Sequence, residues 1–195
     1  MDTARYIVAL IVLIGYPPGL MLWFFIHPCA SFWRKLGPVW TYTILGVPTL
    51  ALMVGMYMAR ATLLARDFGT NYPLMVLSVL TWIVVVIIAF KRKKHLSFGV
   101  LSGLPEVSEE RYPGKLFTEG IYAKIRNPRY VEVLLAVLAY ALFANYLAPY
   151  IAFLAGVPVV YIIVLLEENE LRQRFGSEYE AYCRRVPRFI PWGQA

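Results

Sequence analysis

The sequence is short of charge. Aspartate, glutamate, lysine and arginine make up 16% of its 195 residues, against roughly a quarter in soluble domains. The hydrophobic share is 59% and the mean hydropathy +0.59. One soluble core is excluded, because the apolar residues fall in blocks of about the 20 residues needed to cross a bilayer. Cysteine is scarce too. Cys29 and Cys183 stand far apart with no Cys-x-x-Cys or Cys/His spacing, so neither a zinc site nor a disulfide framework is suggested. The net charge is +7, yet no basic helix or stripe of the kind that holds nucleic acid is present. Charges in mid-span, which would line a transport path, are also lacking.

What is there is a row of apolar blocks at about 6–26, 39–58, 72–90, 131–147 and 149–166. They predict an all-α, polytopic membrane protein of about five transmembrane helices. Three lie in 1–90; a cytoplasmic loop, a transmembrane helical hairpin and a C-terminal tail make up 91–195. Pro17 and Pro18 are expected to kink or break the first helix midway. That first block is longer than a signal-peptide core and has no convincing small-x-small site, so it is expected to remain as an anchor. The long polar stretch KRKKHLSFGVLSGLPEVSEERYPGKLFTEG follows Phe90, and it is expected to order when a cofactor binds. Basic residues follow blocks one, three and five: Arg34 and Lys35, Lys91 to Lys94, and Arg172, Arg174, Arg184, Arg185 and Arg188. By the positive-inside rule the N-terminus lies outside and the C-terminus in the cytoplasm.

On the cytoplasmic side, Asn127 before Pro128 is the order of an N-cap followed by proline at the first helical position. A helix starting there, flanked by Arg126 and Arg129, presents free N–H groups and positive charge to a carboxylate or phosphate; anchoring to lipid headgroups is the plainer use. YIIVLLEENELRQRFG carries acids straight out of an apolar run. Glu168 faces Arg172 and Glu170 faces Arg174 at i,i+4, as solvated surface pairs would. Glu167, the acid nearest the membrane, has no cation at helical spacing, and an unpaired acid near lipid is costly. A cationic ligand is one candidate partner. Glu132, one turn into the fourth helix, is expected to pair with Arg129. In an antiparallel hairpin the start of the fourth helix and the exit of the fifth lie at one end, so an anion site and a cation site would adjoin, as suits a zwitterion.

Leu116, Gly120, Tyr122, Arg126, Asn127, Pro128 and Tyr130, then Glu167 and Glu168, then Phe175, Gly176, Tyr179, Tyr182, Val186 and Pro187 follow in a fixed spacing. Together they resemble the isoprenylcysteine carboxyl methyltransferase family and the related phospholipid N-methyltransferases, whose pattern is roughly L-x-x-x-G-x-Y-x-x-x-R-H-P-x-Y, a helical hairpin, E-E, F-G-x-x-Y-x-x-Y and a V-P-like end. The resemblance implies an integral membrane methyltransferase using S-adenosylmethionine. Its cofactor pocket would be built from Leu116, Gly120, Tyr122, Arg126, Asn127, Pro128 and Tyr130 with Glu167 and Glu168, the two glutamates holding cationic parts of the cofactor. A lipophilic or prenylated acceptor would enter from the bilayer. Two departures stand out. Asn127 replaces the motif histidine, and Tyr161 to Val164 stand where members that methylate a prenylcysteine carboxylate carry arginine. Glu132, where family members have Gly or His, is the candidate base for an acceptor that must lose a proton. The alternatives are a nicotinamide-dependent reductase of the sterol type and a non-catalytic membrane adaptor or lipid-binding protein of the same fold.

Overall fold

The computed structural model describes residues 1–93 and 116–191; the polar stretch expected to order on cofactor binding lies largely outside them. Helix α1 (Asp2–Ile26) leads through a 3-10 turn (His27–Cys29) into α2 (Ala30–Leu36). Then come α3 (Pro38–Met58), the single turn α4 (Arg60–Leu63) and α5 (Tyr72–Lys93). A second 3-10 turn (Gly120–Ala123) precedes α6 (Pro128–Ala144), α7 (Leu147–Phe175) and α8 (Ser177–Arg185). The chain is an all-α membrane protein: Asp2–Leu36, Pro38–Met58, Tyr72–Lys93 and Leu147–Phe175 are each long and apolar enough to cross a bilayer.

The fourth apolar block forms α6, whose 17 residues rise about 26 Å at 1.5 Å each, somewhat under the roughly 30 Å of hydrocarbon. Conversely, α7 has 29 residues and rises about 44 Å. Counted from Leu147, Glu167 falls at about the 30 Å mark, where the hydrocarbon ends. The acids therefore sit on the last turns of a membrane helix that overshoots the bilayer.

Helix α1 does not break at its proline pair and runs as one helix through Pro17 and Pro18. Each proline removes the N–H that would bond the carbonyl four residues back, at Leu13 and Ile14, but the next turns on both sides continue. Neighbouring helices tolerate such gaps in membrane proteins, and here α1 packs on α3, α6 and α7.

The α6–α7 turn is two residues long. Asn145 takes the left-handed conformation (φ 55°, ψ 43°), which its short polar side chain tolerates, and its Nδ2 donates to the Gly69 carbonyl at 2.9 Å. At this end Arg5, 1% exposed, donates from Nε to the Ala144 carbonyl at 3.0 Å and pairs with Asp2 and Asp67. The loop before α5 and the hairpin turn are thereby bolted to α1. Along the hairpin, α5 packs on α6: Ser78 Oγ donates to the Ala139 carbonyl at 2.7 Å, and Trp82 meets Tyr140 edge-on at 4.9 Å. A groove of about 520 Å³ opens beside this contact, lined by Val79, Trp82, Ile83, Val86, Ile87 and Tyr140.

Candidate functional site

At the opposite end of the bundle the motif segments meet. Gly120 opens the 3-10 turn at φ 63°, a left-handed conformation that glycine adopts without penalty. Leu116 packs with Tyr179, Tyr182 and Val186. Tyr182 Oη donates to the Tyr122 carbonyl at 2.6 Å. The Arg126 and Asn127 amides donate to the carbonyls of Pro187 and Arg188 at 2.9 and 3.1 Å. The tail thus returns along the segment that leads into α6.

Glu168 holds this assembly together. Its side chain is 0% exposed and accepts from Arg126 Nη2 at 3.1 Å, Asn127 Nδ2 at 3.0 Å, and Arg188 Nε and Nη2 at 3.0 and 2.8 Å. The expected Arg172 partner is also near, at 3.6 Å. Glu168 is therefore no solvated surface acid, and helical spacing shows only the weakest of its ties. Asn127 stands at the N-cap position but makes no side-chain cap bond; its Nδ2 donates to Glu168 instead. Arg126 likewise serves Glu168 and, through Nη1, the Cys183 and Val186 carbonyls at 2.9 and 2.7 Å. It does not flank an open anion site at the start of α6.

The other expected pairs also change partners. Glu132 accepts from Arg92 Nε and Nη2 at 2.8 and 2.9 Å rather than from Arg129. The Arg129 guanidinium stacks over Trp23 at 4.4 Å. Glu170 pairs with Arg34 and lies 3.5 Å from His27 Nδ1, across to α2 and the 3-10 turn before it, instead of facing Arg174. Tyr130 Oη lies 3.4 Å from His27 Nε2, and that imidazole stacks on Trp23. Arg92, Arg188, Trp23, His27 and Arg34 were not read as site residues. Three of them sat in basic runs that looked like topology signals, and nothing local marks a partner in another helix.

Glu167 keeps the character its spacing gave it. Partly buried, it has one carboxylate oxygen shut off from solvent with no hydrogen-bond partner among the described residues. The half-buried Tyr122 is close enough to feel the charges of Arg92, Glu167, Arg129 and Glu132. Burial above all raises the pKa of this phenol, so it stays neutral and able to donate a hydrogen bond. Of the predicted pocket residues, Tyr122 lies within range of the charge on Glu167 and its unfilled oxygen. Leu116, Gly120, Arg126, Asn127, Pro128 and Glu168 build the frame behind it, and Tyr130 joins the frame to α1.

Such a frame is set at one end of an all-α bundle that defines a multi-pass membrane protein. Residues 97–178 match the phospholipid methyltransferase family, in line with the resemblance read from the motifs. The chain is 28% identical over 157 residues to methanethiol S-methyltransferase 1 of Bradyrhizobium diazoefficiens, covering 78% of this chain and 54% of that protein. It is 31% identical over 119 residues to methanethiol S-methyltransferase of Crocosphaera subtropica, covering 60% of this chain and 45% of that protein. The chain thus spans about half the length of these relatives. No solved structure matches it.

Proposed function

We propose that this protein is an integral membrane methyltransferase that uses S-adenosylmethionine to methylate a lipophilic acceptor. The observation that carries this reading is the division of labour between two adjacent acids. Glu168 is consumed by the frame, while Glu167, near a half-buried phenol, keeps a buried oxygen with no hydrogen-bond partner among the described residues. A buried acceptor left unfilled costs about 1–3 kcal/mol, which a cationic ligand recovers. S-adenosylmethionine fits that demand, since it carries an ammonium and a sulfonium. When bound, it supplies a methyl group made electrophilic by the positive sulfur.

The chain's own residues bind and orient. Arg126, Asn127 and Arg188 fix Glu168 and so the relative positions of α6, α7 and the tail. Glu167 and Tyr122 hold the polar end, and the close packing of the tail keeps water out, which favours in-line transfer from a fixed geometry. The groove along α5 and α6 accepts the hydrocarbon part of an acceptor arriving from the bilayer. The names of the two relatives put a thiol first among acceptor classes to try. Glu132 has both oxygens taken up by Arg92, so its role is to fix Arg92 rather than to abstract a proton.

Calorimetric titration of the detergent-purified chain with S-adenosylmethionine and S-adenosylhomocysteine tests the reading. Binding is expected, weakened about ten- to a hundredfold in Glu167→Gln, the loss of one charge-assisted hydrogen bond. A folded sample that binds neither overturns the proposal, and nicotinamide dinucleotides are then the ligands to titrate. Binding without methyl transfer to lipids or thiols would instead favour a non-catalytic role.

A further inference from the structure

Arg92 has one nitrogen left over. Its Nε and Nη2 are spent on Glu132, but Nη1 is buried with no hydrogen-bond partner among the described residues. The residue as a whole is 8% exposed. A guanidinium has five N–H donors, and an unsatisfied buried donor on a charged group is costly. Nothing in the Arg92–Glu132 pair requires the fork to stop one nitrogen short.

The position of that nitrogen gives it meaning. Helix α5 packs on both α6 and the Gly120–Ala123 turn, so Arg92 approaches Tyr122 from one helix while Glu167 approaches it from α7; both charges act on the same hydroxyl. Among the described residues, one unfilled donor on a cation and one unfilled acceptor on an anion thus converge on one half-buried phenol. The remaining charges there are engaged, Arg129 over Trp23 and Glu132 with Arg92. A ligand of single charge would fill only one of the two. We propose that Arg92 Nη1 binds the carboxylate, and Glu167 the ammonium, of an α-amino acid end group, with Glu132 as the positioning residue that aims Arg92. This rests on the proposed function, and it assigns the carboxylate of the cofactor's methionine end to α5, outside the segment that matches the family.

Three ligands separate the inference from the reading beneath it: S-adenosylhomocysteine, its decarboxylated analogue, which keeps the amine, and 5′-methylthioadenosine, which lacks the whole amino acid end. Titrated into the full-length protein, S-adenosylhomocysteine is expected to bind about ten- to a hundredfold more tightly than the decarboxylated analogue, one charge-assisted contact being at stake. In Arg92→Gln that preference for the carboxylate should vanish, with methylthioadenosine affinity unchanged. The paired variant Arg92→Gln/Glu132→Gln, which leaves no orphaned acid, should behave alike if the single variant folds poorly. Equal affinity of the parent for the first two ligands overturns the Arg92 assignment while leaving the cofactor reading intact. A variant that weakens all three ligands equally overturns it as well, since that marks a merely structural role. Failure of every ligand to bind the folded parent overturns both.

Discussion

Glu168 and Arg188, 20 residues apart in sequence, meet through two hydrogen bonds, the shorter 2.8 Å, at a carboxylate with no solvent exposure. Removing one member of a buried ion pair strands the other, at about 3–5 kcal/mol. Glu168→Ala strands both Arg126 and Arg188, and it is expected to lower the thermal midpoint in detergent severely or to prevent folding. Glu167→Gln, one residue away, should leave that midpoint within a degree or two, because no described residue hydrogen-bonds its buried oxygen. Melting curves of the two variants side by side decide it; equal losses would mean that the two acids share the frame.

At the other end of the bundle, burial raises the Asp67 carboxyl, but the hydrogen bond and charge of Arg5 and the Gly69 amide, at 2.8 Å, outweigh it and hold the pKa below its ordinary value. A lowered folded pKa means stability that is present above the unfolded value, about 4, and lost as pH falls through the folded value. Asp67→Asn should therefore melt lower than the parent at neutral pH, and the gap should close as the pH drops below about 4. A gap that stays constant through the acid range would show that Asp67 acts by shape alone. The carboxylate is partly exposed, so the effect is small.

Gly156 of α7 faces the Tyr16 ring so closely that an added Cβ would come within 2.6 Å of Tyr16 Cε1 and meet the hydroxyl as well. That hydroxyl is buried and has no hydrogen-bond partner among the described residues. Gly156→Ala is expected to cost about 1–3 kcal/mol by overpacking. Tyr16→Phe alone should be neutral or stabilising, since it deletes an unsatisfied hydroxyl. Tyr16→Ala should remove most of the penalty of Gly156→Ala, a coupling that a double-mutant cycle measures.

The α5–α6 groove offers a test of acceptor entry. Val79→Trp places an indole where a hydrocarbon chain would lie. Its expected effect is a higher KM for long-chain acceptors, with cofactor affinity and the rate on a small thiol unchanged. An unaltered KM across chain lengths would exclude the groove as the route.

Much of the architecture could be read from the chain. The apolar blocks at 39–58 and 72–90 became Pro38–Met58 and Tyr72–Lys93, because bilayer thickness sets the length of such a block and little else competes. Asn127–Pro128 marked the start of α6 correctly. What escaped were the partners of the charges. Glu132 was paired with Arg129, the nearest cation by helical spacing, yet Arg92 reaches it across 40 positions. Asn127 was given a capping bond, yet its amide turns to an acid 41 residues away. Spacing along one helix reports only i,i+3 and i,i+4 neighbours, whereas in a membrane bundle a charge at a helix end is claimed by whichever opposite charge the packing brings alongside. The basic run after α5 hid this further: of Lys91, Arg92 and Lys93, only Arg92 is buried, and composition cannot say which of three adjacent cations turns inward.

The tie between Glu168 and the tail also dictates an order of assembly. A membrane chain is inserted as it is synthesised, so α6 and α7 are in place before Pro187 and Arg188 exist. Until then Glu168 sits among helices with part of its positive complement missing, and the Arg126 and Asn127 amides lack the carbonyls they bond in the finished fold. The site is thus the last part of the molecule to become whole. A chain ended after Val186 should insert all its spans yet remain open to protease at the Gly120–Asn127 segment, whose Arg126 and Asn127 amides have lost their carbonyl partners.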